Sequence, residues 1–265
     1  MWRWLPGLLS LVACASPASS EVWLIDSIQL EGQPKPGRGI GFDLDGVSSP
    51  EGDPASCGHG DLLGLDMTEG VDNQFSELLP AMELVAGEAV HALLQEAIDS
   101  GVLLVTLEVD PANGSLVLRR AEGPALNGAD GRLVSGQTLA IDPDLPDSEA
   151  TARMQGRWVH AEGVTMELPL SALGYELPLT LYGGALSFQR DEDSAAGILG
   201  GLVSVEDMQP TLDFINSNGD PQIAEPIRLA LDANADVDMD EDGSCDHLSM
   251  AARFTAVPAW LYEGP

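Results

Sequence analysis

The chain has 265 residues, with 11 basic side chains against 43 acidic ones and a formal net charge of −32. A field of that sign repels the phosphates of nucleic acid and the anionic face of a membrane, so nucleic-acid binding is all but excluded and cations are drawn in. The length suffices for one large domain or two small ones with a sizeable core.

In chain order, Met1 to Arg3 supplies a short positive start, Leu5 to Ala13 is apolar but too short to span a bilayer, and small residues follow; this predicts a signal peptide over residues 1–13. Two cleavage readings stand side by side. Leu11-Val12-Ala13-Cys14 resembles the lipobox of bacterial lipoproteins, which implies acylation at Cys14, a lipidated tether over residues 14–20 and a membrane anchor through that lipid. Ala13-Cys14-Ala15 would instead serve an ordinary signal peptidase. Either way Cys57 and Cys245 remain in an exported body, where two cysteines most simply form a disulfide, the alternative being two buried thiols.

Val22 to Leu30 reads as a first strand, and the segments 32–41 and 42–72 read as loop, rich in Gly, Asp, Ser and Pro. Asp72 can cap a helical segment carrying Phe75, Leu78, Leu79 and Met82, which Pro80 should kink. From Glu88 to Ser100 a second helix places Val90, Leu93, Leu94, Ala97 and Ile98 on one face, and Gly101 is suited to end it. The two form a helical hairpin near 72–100.

From Leu103 the period changes to two. Strands are expected over Leu103–Val109, Leu116–Arg119, Leu133–Ile141, Arg157–Ala161, Val164–Leu170, Leu177–Tyr182, Leu186–Arg190, Ile227–Leu231 and Leu248–Ala256. A further helix follows Ser204, with Pro210 in its early turns and Gly219 past its end, while Leu199-Gly200-Gly201-Leu202 reads as a tight turn or packing spot. Short half-buried strands argue a mainly β fold: an antiparallel β-sandwich or barrel-like sheet with a helical hairpin insertion, forming a single β-rich domain over 21–265.

Phe42-Asp43-Leu44-Asp45-Gly46-Val47 resembles the first motif of the haloacid-dehalogenase phosphatases, in which the first Asp is the nucleophile and the second the acid/base. That family needs a buried parallel strand ahead of the motif, whereas Lys35 to Gly41 has loop chemistry. It also needs a basic residue downstream, usually Lys, and no lysine follows Lys35. Ala224 stands where the second magnesium-binding acid should follow Asn218-Gly219-Asp220. The phosphatase reading therefore fails on its own requirements.

Asp-x-Asp-Gly is also a way to present oxygens to a hard cation, with Gly46 allowing the backbone to turn. Asp53, Asp61, Asp66 and Asp72-Asn73-Gln74 offer further donors, so Asp43, Asp45, Asp72 and Asn73 form one candidate calcium site; the alternative is that Asp43 and Asp45 cap their own turns. A second candidate is the run from Asp232 to Asp246. Counted from Asp238, acids stand at loop positions 1, 3 and 5 (Asp238, Asp240, Asp242), Gly243 at 6 and Asp246 at 9, as in a calcium loop of EF-hand type, but Ser249 replaces the closing Glu. The spacing is more similar to the acidic loops of thrombospondin type 3 repeats, where a cysteine also sits beside the acidic run. A solvated acidic loop is the alternative. A Cys57–Cys245 bond would bring both loops to one edge.

Catalytic constellations are sparse. His59 and His247 each lie two residues past a cysteine, so with Asp61 and Asp246 they could form an acid/base or transition-metal site. The lipobox, the acidic composition and the Gly-Phe-Asp-Leu-Asp-Gly loop together are similar to the acidic exported lipoproteins of myxobacteria and their relatives, a resemblance that implies no particular activity. The expectation is a non-enzymatic envelope lipoprotein, stiffened by calcium and binding a protein or glycan ligand; the alternative is a secreted hydrolase using Asp and His residues of the acidic loops.

Overall fold

The structure is a computed structural model, describing residues 20–86, 89–172, 175–218, 221–240 and 242–263. The signal-peptide and Cys14 readings lie outside the described residues. Eleven strands and four helices follow in chain order: β1 (Glu21–Leu30), β2 (Arg38–Gly39), β3 (Leu63–Gly64), α1 (Phe75–Ala86), α2 (Ala89–Asp99), β4 (Val105–Asp110), β5 (Ser115–Glu122), β6 (Gln137–Ile141), β7 (Ser148–Gln155), β8 (Trp158–Ala172), β9 (Tyr175–Arg190), β10 (Ala195–Ser204), α3 (Val205–Asn218), α4 (Pro221–Asn234) and β11 (His247–Tyr262).

Pairing runs β1-β4-β5-β7-β8-β9-β10-β11 and returns to β1, every step antiparallel, so eight strands close into a barrel. β6 stands outside this ring, pairing parallel with the end of β11 and antiparallel with the end of β5. Of the two expected architectures, the barrel is the one that forms. Closure removes the exposed edges that an open sheet must protect.

An eight-stranded barrel is just wide enough to be filled by its own side chains. Here Phe188 and Phe254 meet edge to face, with ring centroids 5.7 Å apart. Gly197 on β10 lies between them in register, opposite Phe188 on β9 and Phe254 on β11. Alanines at 150, 152, 161, 252 and 256 complete this buried core. Small residues facing large ones let the layers interdigitate. A Cβ on Gly197 would lie 2.3 Å from both the Phe188 Cβ and the Ser187 carbonyl oxygen. Gly197→Ala is therefore expected to cost about 3 kcal/mol, as a backbone that cannot give is forced apart; equilibrium urea unfolding against the parent measures it.

The helices close the barrel rather than join its wall. α2 packs on β1 and also reaches β8, half-way round the ring, so it crosses a barrel mouth. It buries Leu94, Ala97 and Ile98 in the main core. Gln95 Nε2 donates to the Asp26 carbonyl (2.9 Å) and His91 Nε2 lies 2.7 Å from the Leu30 carbonyl, which fixes the helix along β1. No helix among the described residues is long and apolar enough to cross a membrane.

Four expectations are corrected. Ile227–Leu231 is helical, within α4, because Ile227 and Leu231 share a helical face that packs with Leu212 and Leu248 in a second, smaller core; a short apolar run does not distinguish strand from buried helix. Leu199 to Leu202 is no turn but the middle of β10, and its alternative reading as a packing spot holds, since Gly200 and Gly201 leave room for Phe42 and Leu181. Arg157–Ala161 and Val164–Leu170 form one strand, β8, as do the two segments of β9, bent by register shifts instead of broken by turns. Asp72 does not cap α1: its carboxylate accepts from Leu44 and Asp45 in the preceding loop, while Ser76 N and Oγ both donate to the Asn73 carbonyl.

Candidate metal centres

The Gly41–Asp72 loop is seated on the barrel by Phe42. A Cβ on Gly200 of β10 would meet the Phe42 ring at 2.9 Å, so the glycine leaves the space that the ring occupies. The Asp72 amide donates to the Phe42 carbonyl at 2.8 Å, which draws the two ends of the loop together. Asn73 then pins the loop to β11: its Oδ1 accepts from the Ala251 amide (3.2 Å) and its Nδ2 donates to the Ile40 carbonyl (2.8 Å). Asn73 thus uses both ends of its amide to position the loop.

Within the loop, Asp43 Oδ1 accepts from the Gly46 amide (2.7 Å) and Asp45 Oδ1 from the Val47 amide (2.8 Å). The turn-capping role is therefore real, but it takes one oxygen from each. Asp43, Asp45 and Asp72 each present a carboxylate oxygen within 4.8 Å of the others. Asp72 is 4% exposed, and burial, with Asp45 and Asp61 close by, pushes its carboxyl up to about 8. Burial raises Asp45 and Asp61 too, and neighbouring carboxylates add to the effect. Asp61 accepts from the Ser49 amide at 2.5 Å and joins the cluster from its far side. Four carboxylates in one part-buried place strain against each other unless protons or a cation neutralise them.

The second loop wraps its own carboxylates. Asp238 accepts from the amides of Asp242 (3.1 Å) and Gly243 (2.7 Å), Asp240 from Asp242 (3.2 Å), and Asp242 from Ser244 (2.8 Å). Gly243 has φ +91°, which a residue with a Cβ adopts at a cost. Asp238, Asp240 and Asp242 bring oxygens within 4.8 Å of one another. Asp246 stands outside this triad, its Oδ1 turned to His247 Nδ1 at 2.5 Å. Cys57 and Cys245 form a disulfide, their Cα atoms 5.9 Å apart, so the two acidic loops are tied at one edge as their spacing suggested.

Between the loops lies a polar junction that sequence reasoning did not single out. Ser249 on β11 accepts from the Gln74 amide (2.9 Å) and donates its hydroxyl to Asp236, which also accepts from the Ser249 amide (2.7 Å). Burial raises the Asp236 carboxyl to about 6, against those bonds and nearby His59, which lower it. Asp236 sits in an unbroken acidic run, so nothing local distinguishes it from its solvated neighbours. His59, Asp61, Asp72 and Asp236 line a recess of about 10 Å³ there. His247 is turned away, its ring edge-on to Tyr182 at 6.0 Å.

No protein-family model, no curated protein and no solved structure matches this chain.

Proposed function

We propose that the protein is a non-enzymatic lipoprotein of the cell envelope, exported and anchored in the outer membrane through Cys14, whose β-barrel is stiffened by calcium and serves binding or scaffolding. The observation that carries the calcium reading is the convergence of Asp43, Asp45 and Asp72 into one part-buried cluster. Calcium takes six to eight oxygens from carboxylates, carbonyls and water, and here it would relieve the repulsion that burial imposes on Asp72. Asp238, Asp240 and Asp242 form a second, more exposed calcium loop of the same chemistry. The runner-up, a hydrolase built on the acidic loops, is less favoured because the recess beside His59 has room for about one water and none for a substrate.

The test is thermal unfolding with EDTA and with calcium. Extracellular calcium modules bind at about 10⁻⁴–10⁻³ M, so about 10 mM calcium should stabilise the fold by about 2 kcal/mol, a rise of about 5 °C in melting temperature. Asp72→Asn should abolish most of that rise. A melting temperature indifferent to calcium would refute the reading.

A further inference from the structure

A cavity of about 620 Å³ lies on the outer face of the barrel, with Asp66 of the Gly41–Asp72 loop among its lining residues. Two neighbouring rungs of outward side chains cross β1, β11, β10, β9 and β8 there. One rung reads Gln29, Arg253, Ile198, Ser187 and His160. The other reads Ser27, Thr255, Ala196, Gln189 and Trp158. Five strands at sheet spacing make a trough about 20 Å long.

Its chemistry is unlike the rest of this acidic surface. Trp158 is 44% exposed at one end, its ring parallel to that of His160 with centroids 6.0 Å apart. Among the described residues the side-chain amides of Gln29 and Gln155 have no hydrogen-bond partner, so each offers a donor and an acceptor side by side. His160 Nδ1 is held by the Ser187 hydroxyl at 2.9 Å, which leaves Nε2 for the trough. Arg253 is neutralised through Nε by Glu31 at 2.7 Å, which leaves its terminal nitrogens to donate. Asp66 also lines the trough and Asp26 accepts from the Thr255 hydroxyl at 2.6 Å, so local carboxylates add to the repulsion that the chain's net charge of −32 sets against an acidic ligand.

We infer that this trough binds a neutral oligosaccharide, with Trp158 stacking on a sugar ring and Gln29 and Gln155 bonding its hydroxyls. A sugar presents an apolar C–H face beside paired hydroxyls, which is the complement of an aromatic ring flanked by amides. An acidic ligand would meet the repulsive field of the whole protein, and an apolar one would strip water from unpaired amides at a cost. The inference rests on the binding role proposed above and gives it a site and a ligand class.

The experiment is calorimetric titration of the purified chain, with calcium present, with neutral hexasaccharides of glucose, xylose, mannose and N-acetylglucosamine. At least one should saturate, and Trp158→Ala should weaken it about tenfold or more while Trp158→Phe retains most of the affinity. Gln155→Ala should weaken it several-fold without lowering the melting temperature, since the side chain is exposed. The inference is overturned if no neutral sugar saturates at about 10 mM, if Trp158→Ala binds as the parent does, or if a hexasaccharide of galacturonic acid binds more tightly than the neutral ones. A calcium-induced melting rise that survives such a result leaves the calcium-stiffened scaffold intact and removes the sugar site alone; loss of both removes both.

Discussion

Stripped of divalent cations, the protein is expected to lose stability steadily as pH rises from about 4 to about 8, by about 4 kcal/mol at pH 7 from Asp72 alone. The sign follows from the direction of the shift. An unfolded chain releases the Asp72 proton at an ordinary carboxylate pKa of 3.8, whereas the folded protein holds it up to about 8. Between those values the native state binds more protons than the unfolded one, so each rise in pH favours unfolding. The stabilising contribution is complete below the lower value and gone above the higher. Asp236, raised to about 6, adds to the same slope over the lower half of that window. Below it, Asp66 works the other way, because bonds from Thr68 lower its carboxyl and protonation discards them. Calcium should flatten the profile above about pH 5, since a cation replaces the proton as the neutralising partner. Denaturant titrations at stepped pH, with EDTA or calcium, measure this. Asp72→Asn should remove most of the slope and make the metal-free protein more stable at pH 7.5, because the amide oxygen still accepts from Leu44 and Asp45 without carrying charge. A flat profile in EDTA, or an unchanged slope in Asp72→Asn, would overturn the assignment of that carboxylate.

Reduction of the Cys57–Cys245 disulfide should be the more damaging change. The bond closes 188 residues of chain, which limits the unfolded ensemble by about 5 kcal/mol in chain-entropy terms. The expected drop in melting temperature is about 15 °C for a domain of this size. A second readout separates this from a generic loss of stability. Cys245 follows Asp242 by three residues, so cutting the bond releases one end of the Asp238–Asp242 loop. Calcium should then stabilise the Cys57→Ala/Cys245→Ala variant less than it does the parent. If the double variant melts within a degree or two of the parent, the bond contributes only local geometry.

Much of the barrel was legible because its strands carry a period that local sequence reveals. Leu248 to Ala256 alternates between a core face (Leu248, Met250, Ala252, Phe254, Ala256) and an outer face, and the strand follows that register. β7 escaped notice because Ser148 to Gln155 buries only two alanines, Ala150 and Ala152, on its inner face, too small a signal for a strand. β10 was hidden by its glycines, which read as a turn or a packing spot and serve close packing against Phe188, Phe42 and Leu181. Within the site, Asp43, Asp45, Asp72 and the triad from Asp238 were legible because spacing in a loop predicts convergence. The bonds that Asn73 and Asp246 make were not legible, for the opposite reason. Their partners, Ala251 for the first and the ring of His247 for the second, are set by how β11 lies against the loops.

By itself the sequence determined the acidic, mainly β character of this protein, the cysteine pair, the two carboxylate loops and the failure of the phosphatase motif. Each follows from composition, from nearest-neighbour spacing or from the period of one element. Only the tertiary structure decided that the strands close into a barrel, that Asp72 is buried against Asp45 and Asp61, that Ile227 lies on a helix, and that side chains from five strands line one trough. Those outcomes depend on hydrogen-bond register between segments far apart in the chain, such as Gln74 with Ser249, 175 residues away. Local periodicity reports which face of a strand is buried, but not which strand will lie beside it.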